Sequence, residues 1–203
     1  MALQTKFRRS PEKAIASYSY FDIAEGSGLI EFLPFLTTSD GSNLSGAMTI
    51  NTSVYGASSG AANLTATNKD FDVVFNLPKI IEGNAFCITP IRIQGTGNGK
   101  VYATIKHVDL NGVETTIGAQ ATSESVIGGG GGVSADKKVI TKFTIARKKF
   151  KKGEKLRLNL SGASSGSVEK ADIGLSPVNT QLSTVFATNG SRSSLFIPFR
   201  NEI

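Results

Sequence analysis

A period of two returns in segment after segment of this chain, and it constrains the fold more than any other feature. Val101, Ala103 and Ile105 alternate with Lys100, Tyr102, Thr104 and Lys106. Val139, Thr141, Phe143 and Ile145 make a second row. Leu156, Leu158 and Leu160 make a third, against Lys155, Arg157 and Asn159. Phe71, Val73 and Phe75 make a fourth, against Asp70, Asp72 and Val74. Successive side chains of a strand point to opposite faces, so these rows read as strands with one face buried. Ala47 to Tyr55 alternates in the same way. Tyr18 to Ala24 and Leu29 to Thr37 are rich in aromatic and branched residues. Ser194 to Arg200 closes the chain with Leu195, Ile197 and Phe199 on one face. Asp172 to Leu175 is a short further candidate. Ile88 to Ile93 reads as a strand interrupted by Pro90, which is expected at an edge or bulge because proline has no N–H for a ladder.

Turn chemistry separates these rows. Asn111-Gly112 lies between Leu110 and Val113, and Asn-Gly flanked by alternating residues predicts a tight hairpin. Glu25 to Gly28 and Gly95 to Gly99 read as turns. Gly128 to Gly132 is an unbroken glycine run and reads as a flexible loop. A phosphate-binding loop would need a Lys-Ser/Thr pair opening a helix, and Val133-Ser134-Ala135 is not that. No helical stretch is long enough to supply a crossover, and parallel pairing needs crossovers. The expected fold class is therefore all-β, an antiparallel two-sheet sandwich of jelly-roll form with an extended N-terminal arm. The length of 203 residues suits one domain. Residues 1–17 read as the basic arm, with a short helical turn at Ser10-Pro11-Glu12-Lys13, and residues 18–203 as the β-domain.

Charge is segregated. Residues 137–157 hold ten of the 22 basic residues and one acid, Glu154, for a net of +9; the rest of the chain holds 12 basic and 15 acidic residues, net −3. The densest run is Arg147-Lys148-Lys149-Phe150-Lys151-Lys152, expected to be a solvent-exposed connection between two strands. Such a run can neutralise phosphates. A nucleic-acid platform also needs several aromatics on one face, and only Phe150 interleaves the run. Nucleic acid is therefore not the expected partner; an acidic protein surface is. Phe150 is expected to tuck back onto the edge of the β-domain. The N-terminus has basic residues but no apolar run behind them, and nothing approaches the length of a membrane-spanning helix. The expectation is a protein made in the cytoplasm, with no membrane partner.

Little in the chain suggests catalysis. Cys87 is the only cysteine and sits between Phe86 and Ile88, which reads as a small buried hydrophobe. His107 is the only histidine, and no metal spacing surrounds it. Asp70 and Asp72 point to one face, as paired carboxylates of a hydrolase or a calcium site would, or as the wet side of a strand does. Asp109 and Glu114 flank the hairpin turn and read as solubility. No catalytic, cofactor or metal residue is assigned, no cofactor is expected, and the chain reads as a non-enzyme.

A basic arm (KFRRSPEKAIASYSYFDIAEGSG), a Ser/Thr/Gly-rich β-domain and a final strand LFIPFR resemble small jelly-roll virion proteins of tailed phages, of the head decoration or cement kind. The resemblance implies a virion protein that docks on the major capsid protein or another virion protein, often as a homo-oligomer. The expected assembly contacts are Lys6, Arg8 and Arg9 of the arm with Arg147, Lys148, Lys149, Phe150, Lys151 and Lys152. The alternative is a carbohydrate- or receptor-binding module of a fibre or tail, with Tyr18, Tyr20, Tyr55 and Tyr102 as exposed aromatics.

Overall fold

The computed structural model describes residues 28–36, 46–50, 61–64, 68–175 and 192–200. The arm with Lys6, Arg8 and Arg9, the expected strand from Tyr18 to Ala24, and Tyr55 lie outside the described residues. The described residues form twelve strands and no helix: β1 (Gly28–Leu36), β2 (Gly46–Thr49), β3 (Ala61–Asn63), β4 (Asn68–Val74), β5 (Lys79–Gly95), β6 (Asn98–Val108), β7 (Glu114–Thr122), β8 (Val126–Ile127), β9 (Ser134–Phe150), β10 (Lys155–Ser165), β11 (Val168–Gly174) and β12 (Ser194–Arg200). The protein is all-β.

Hydrogen bonding links the strands in the order β3-β11-β5-β12-β1-β2-β4-β10-β6-β7, with β8 on β6 and β9 on β5. The sheet is mixed. β2 runs parallel to β4, with Gly46 opposite Phe71 and Ala47 opposite Asp72. The other strand pairs among the described residues are antiparallel, as expected, and this one is the exception. The reversal needs no helix, because the chain between β2 and β4 travels away through β3, which pairs with β11 instead.

The period of two places the core. Phe71, Val101, Ile105, Phe143, Ile145, Leu156, Leu158, Leu160, Leu195 and Ile197 belong to one buried cluster, so strands from both ends of the hydrogen-bonded order feed the same interior. Each fully buried Leu, Ile or Phe side chain favours this state by about 1.5–3 kcal/mol. Aromatic rings tie separate elements together there. Phe75 meets Phe150 of β9 edge-on at 5.0 Å and Phe199 of β12 at 5.8 Å.

Three local expectations change. Pro90 sits inside β5, opposite Lys138 of β9, and neither at an edge nor at the bulge, which falls between Ile81 and Gly83. On its other side β5 pairs with β12 as far as Ile88 and with β11 from Ile91 onward. The proline therefore stands where one neighbour ends and the next begins, and its missing N–H interrupts no ladder. The glycine run is likewise no free loop. The N–H groups of Gly128 and Gly130 donate to the carbonyls of Gly97 and Gly95, both at 2.9 Å, and dock the run on the β5–β6 turn. Finally, the basic run is mostly strand. β9 continues through Phe150, with Lys148, Lys149 and Phe150 opposite Ile81, Ile80 and Lys79 of β5. Only the residues after Phe150 turn toward β10.

Candidate docking surface

β9 is the main carrier of basic side chains. Along its length it pairs with β5, and among the described residues no second strand pairs with it. Its inward row is apolar apart from Thr141, while Lys137, Lys138, Lys142, Arg147 and Lys149 are exposed and Lys148 is half-buried. Phe150 is fully buried, its ring against Phe75 and, at 4.9 Å, against His107. It has no side-chain surface for a partner and leaves the set of expected assembly contacts. The reason is its register: it ends the inward row of β9 rather than interrupting a loop.

The turn after Phe150 is built around a buried acid. Gly153 donates its N–H to the Phe75 carbonyl at 2.7 Å, and Phe75 donates to the Glu154 carbonyl at 3.0 Å. The Glu154 carboxylate folds inward, where Oε2 accepts the Lys151 N–H at 2.8 Å and lies 2.7 Å from Nε2 of His107. Burial opposes ionisation of Glu154, but the Lys151 N–H and His107 outweigh it and hold the carboxyl below its ordinary value. With Glu154 turned in, the exposed side chains of this turn are Lys151 and Lys152.

Asp70 and Asp72 do share one face of β4, but they are not a free pair. Arg157 of β10 stands opposite Asp72 in register. Its Nε and Nη2 donate to the two Asp72 oxygens at 2.6 and 2.7 Å, and Nη1 donates to Asp70 at 3.1 Å and also to Glu114. Asn159 donates to the other Asp70 oxygen at 2.7 Å. Lys106 donates to the second Glu114 oxygen at 2.7 Å. Asp72, then burial working the other way, then Asp70 and Glu114 leave the Arg157 guanidinium more firmly protonated than usual. Glu114 is thus a member of a cross-strand charge network rather than a solubilising flank. Asp109 is also structural, since its carboxylate accepts the N–H groups of Asn111 and Val113, both at 2.8 Å, inside the hairpin turn.

The remaining candidates are interior or isolated. Cys87 is fully buried, and burial, eased slightly by Thr89, pushes its thiol up to about 11, so it stays protonated and inert. His107 is buried on Glu154, not open to a substrate. Tyr102 is half-buried on β6. A recess of about 440 Å³ on the β5–β9 face is lined by Asn84, Phe86, Lys142 and Thr144, with no acid and no histidine to activate a hydroxyl. Among the described residues no group of three or more His, Cys, Asp or Glu side chains could hold a metal ion. The sequence gives no local signal for the Arg157 network or the Glu154–His107 pair, because both join residues far apart in the chain. The arrangement as a whole offers a basic surface whose neighbouring acids are already paired, which suits docking on an acidic surface.

No protein-family model matches the sequence, and no curated protein matches it. Among solved structures, two crystal structures of a CocE/NonD family hydrolase from Staphylococcus aureus are similar in fold. They give TM-scores of 0.50 and 0.52 at 13% and 12% identity, over 83% and 84% of this chain. The chain spans 36% of the length of that hydrolase, and the likeness is one of fold alone.

Proposed function

We propose that this chain is a virion structural protein, of the head decoration or cement kind, that docks on the shell through its basic surface. In this reading the twelve strands form a two-layer sandwich of jelly-roll type, which the shared core of the two halves supports. The carrying observation is the segregation of charge: Lys137, Lys138, Lys142 and the Arg147–Lys152 stretch line one long strand and its turn, while Asp70, Asp72, Glu114 and Glu154 are held in internal pairs. A field of one sign steers encounter with an acidic partner and fixes its orientation. Repetition on a lattice then turns weak single contacts into firm retention. The pairing of Asp70 and Asp72 with Arg157 argues against a free acid and base at the site that most resembled a catalytic one.

The test is light scattering of the purified protein, alone and mixed with candidate capsid shells, over a range of ionic strength. The expected result is saturable binding that weakens as salt is raised. Self-assembly into shells would make it a major capsid protein. Absence of shell binding at low salt, with binding on a glycan array, would replace the proposal by the carbohydrate-binding reading.

A further inference from the structure

Three connections meet at one end of the molecule. Residues 75–78 and the β9–β10 turn are joined by the hydrogen bonds between Phe75, Gly153 and Glu154. The β6–β7 hairpin turn lies against the same place: a methyl group added at Gly153 would come within 3.0 Å of Cδ2 of Leu110. From these connections Leu77, Leu110 and Val113 face solvent, 43%, 65% and 58% exposed. Leu110 and Val113 are held there, because Asp109 accepts two N–H groups inside the hairpin turn and fixes its shape. Lys151 and Lys152 stand beside them on the adjoining turn.

Among the described residues the acids of this end are engaged within the fold: Glu154 with His107, Asp109 inside its own turn, Glu114 with Lys106 and Arg157. The end therefore presents aliphatic side chains within a positive rim, the arrangement of an interface with an apolar centre and a charged edge. We infer that this end, with Leu77, Leu110 and Val113 at its centre and Lys151 and Lys152 on its rim, is the docking face, and that it seats in an acid-rimmed apolar recess of a partner protein. The inference rests on the docking reading above and specifies its contact. Charge complementarity chooses the occupant. A second copy would bring two basic ends together, and an anionic membrane is favoured by Trp and Tyr side chains that this end does not carry.

The experiment uses the full chain and three paired variants: Leu110→Ser with Val113→Ser, Lys151→Glu with Lys152→Glu, and, away from this end on β9, Lys138→Glu with Lys142→Glu. Thermal melts establish that each is folded, and co-sedimentation with shells measures binding at low and high salt. The Leu110/Val113 pair should lose about tenfold or more at both salt levels, as the loss of a buried apolar anchor requires. The Lys151/Lys152 pair should lose as much at low salt and show a flatter salt dependence. The β9 pair should weaken binding by only a few-fold and only at low salt, because its charges steer the encounter from outside the contact. If the Leu110/Val113 pair binds like the parent while the β9 pair fails, the contact lies on β9 and the inference falls, although the docking reading stands. If the parent itself ignores shells, the docking reading falls. Leu110- and Val113-dependent binding to phosphatidylserine-containing vesicles, or self-association abolished by the same pair, would overturn the inference in favour of a membrane or a second copy.

Discussion

Glu154 is the one acid in the most basic stretch of the chain, and its carboxylate is turned inward at the tight turn that carries Lys151 and Lys152. Its carboxylate replaces solvent for the Lys151 N–H and joins the turn to His107 on β6. This has a pH consequence. The carboxyl titrates below its ordinary value of 4.5 in the folded chain and near that value in the unfolded one. A group with a depressed folded pKa contributes stability that is complete above the unfolded value and is lost as pH falls through the folded one. Glu154→Gln should therefore lower Tm near neutrality, by about 2–4 °C if one charge-assisted hydrogen bond worth about 1 kcal/mol is weakened. The gap between variant and parent should close on acidification below pH 4.5. Melts across that range decide it: a gap constant with pH would mean that the carboxylate charge is irrelevant to the turn. Glu114, also held below its ordinary value, chiefly by Lys106, adds an acid-sensitive contribution of the same sign to both proteins and cancels in the comparison.

At the scale of the element, the short parallel pair of β2 and β4 depends on a residue with no side chain. A Cβ on Gly46 would lie 2.0 Å from the Asp70 carbonyl oxygen, and backbone cannot move aside as a flexible side chain can. Gly46→Ala should destabilise the protein by about 1–3 kcal/mol, the usual range for overpacking. Denaturant titration measures this, and a variant as stable as the parent would show that β2 does not hold this approach to β4. β5 shows the opposite economy. One 17-residue strand serves β9 on one side and both β12 and β11 on the other, and Pro90 sits at the junction where its missing donor does no harm.

At the scale of the whole molecule, one core unites strands that are remote along the hydrogen-bonded order. Leu158 of β10 and Ile197 of β12 are both fully buried in the same cluster. Strands remote along that order bury their apolar rows in one shared cluster, so unfolding should be a single cooperative transition. Leu158→Ala should lower the stability of the entire unit by about 2–5 kcal/mol rather than melt one part early. Calorimetry checks this, and two separated transitions in the variant would show that parts of the strand order fold independently. The same union gives the docking end its rigidity, since the connections that carry Leu77, Leu110 and Lys151 leave from strands locked into that core.

The facing of the residues in the alternating rows was legible in the sequence, because alternation is a local property of extended backbone and needs no knowledge of partners. The rows at Val101, Val139, Leu156 and Leu195 point inward as the alternation predicts, and the Asn111-Gly112 hairpin stands where expected. The basic run was equally plain as composition. Its conformation was not. That Lys148 and Lys149 belong to a strand and Phe150 to the core follows from pairing with β5, across about seventy residues of chain. The engagement of Asp70 and Asp72 by Arg157, the burial of Glu154 on His107, the parallel pair and the place of Pro90 likewise depend on which strands become neighbours. Local sequence sets which way a side chain points; only the tertiary structure decides what it meets, because registers between distant strands are chosen by the joint packing of the whole core.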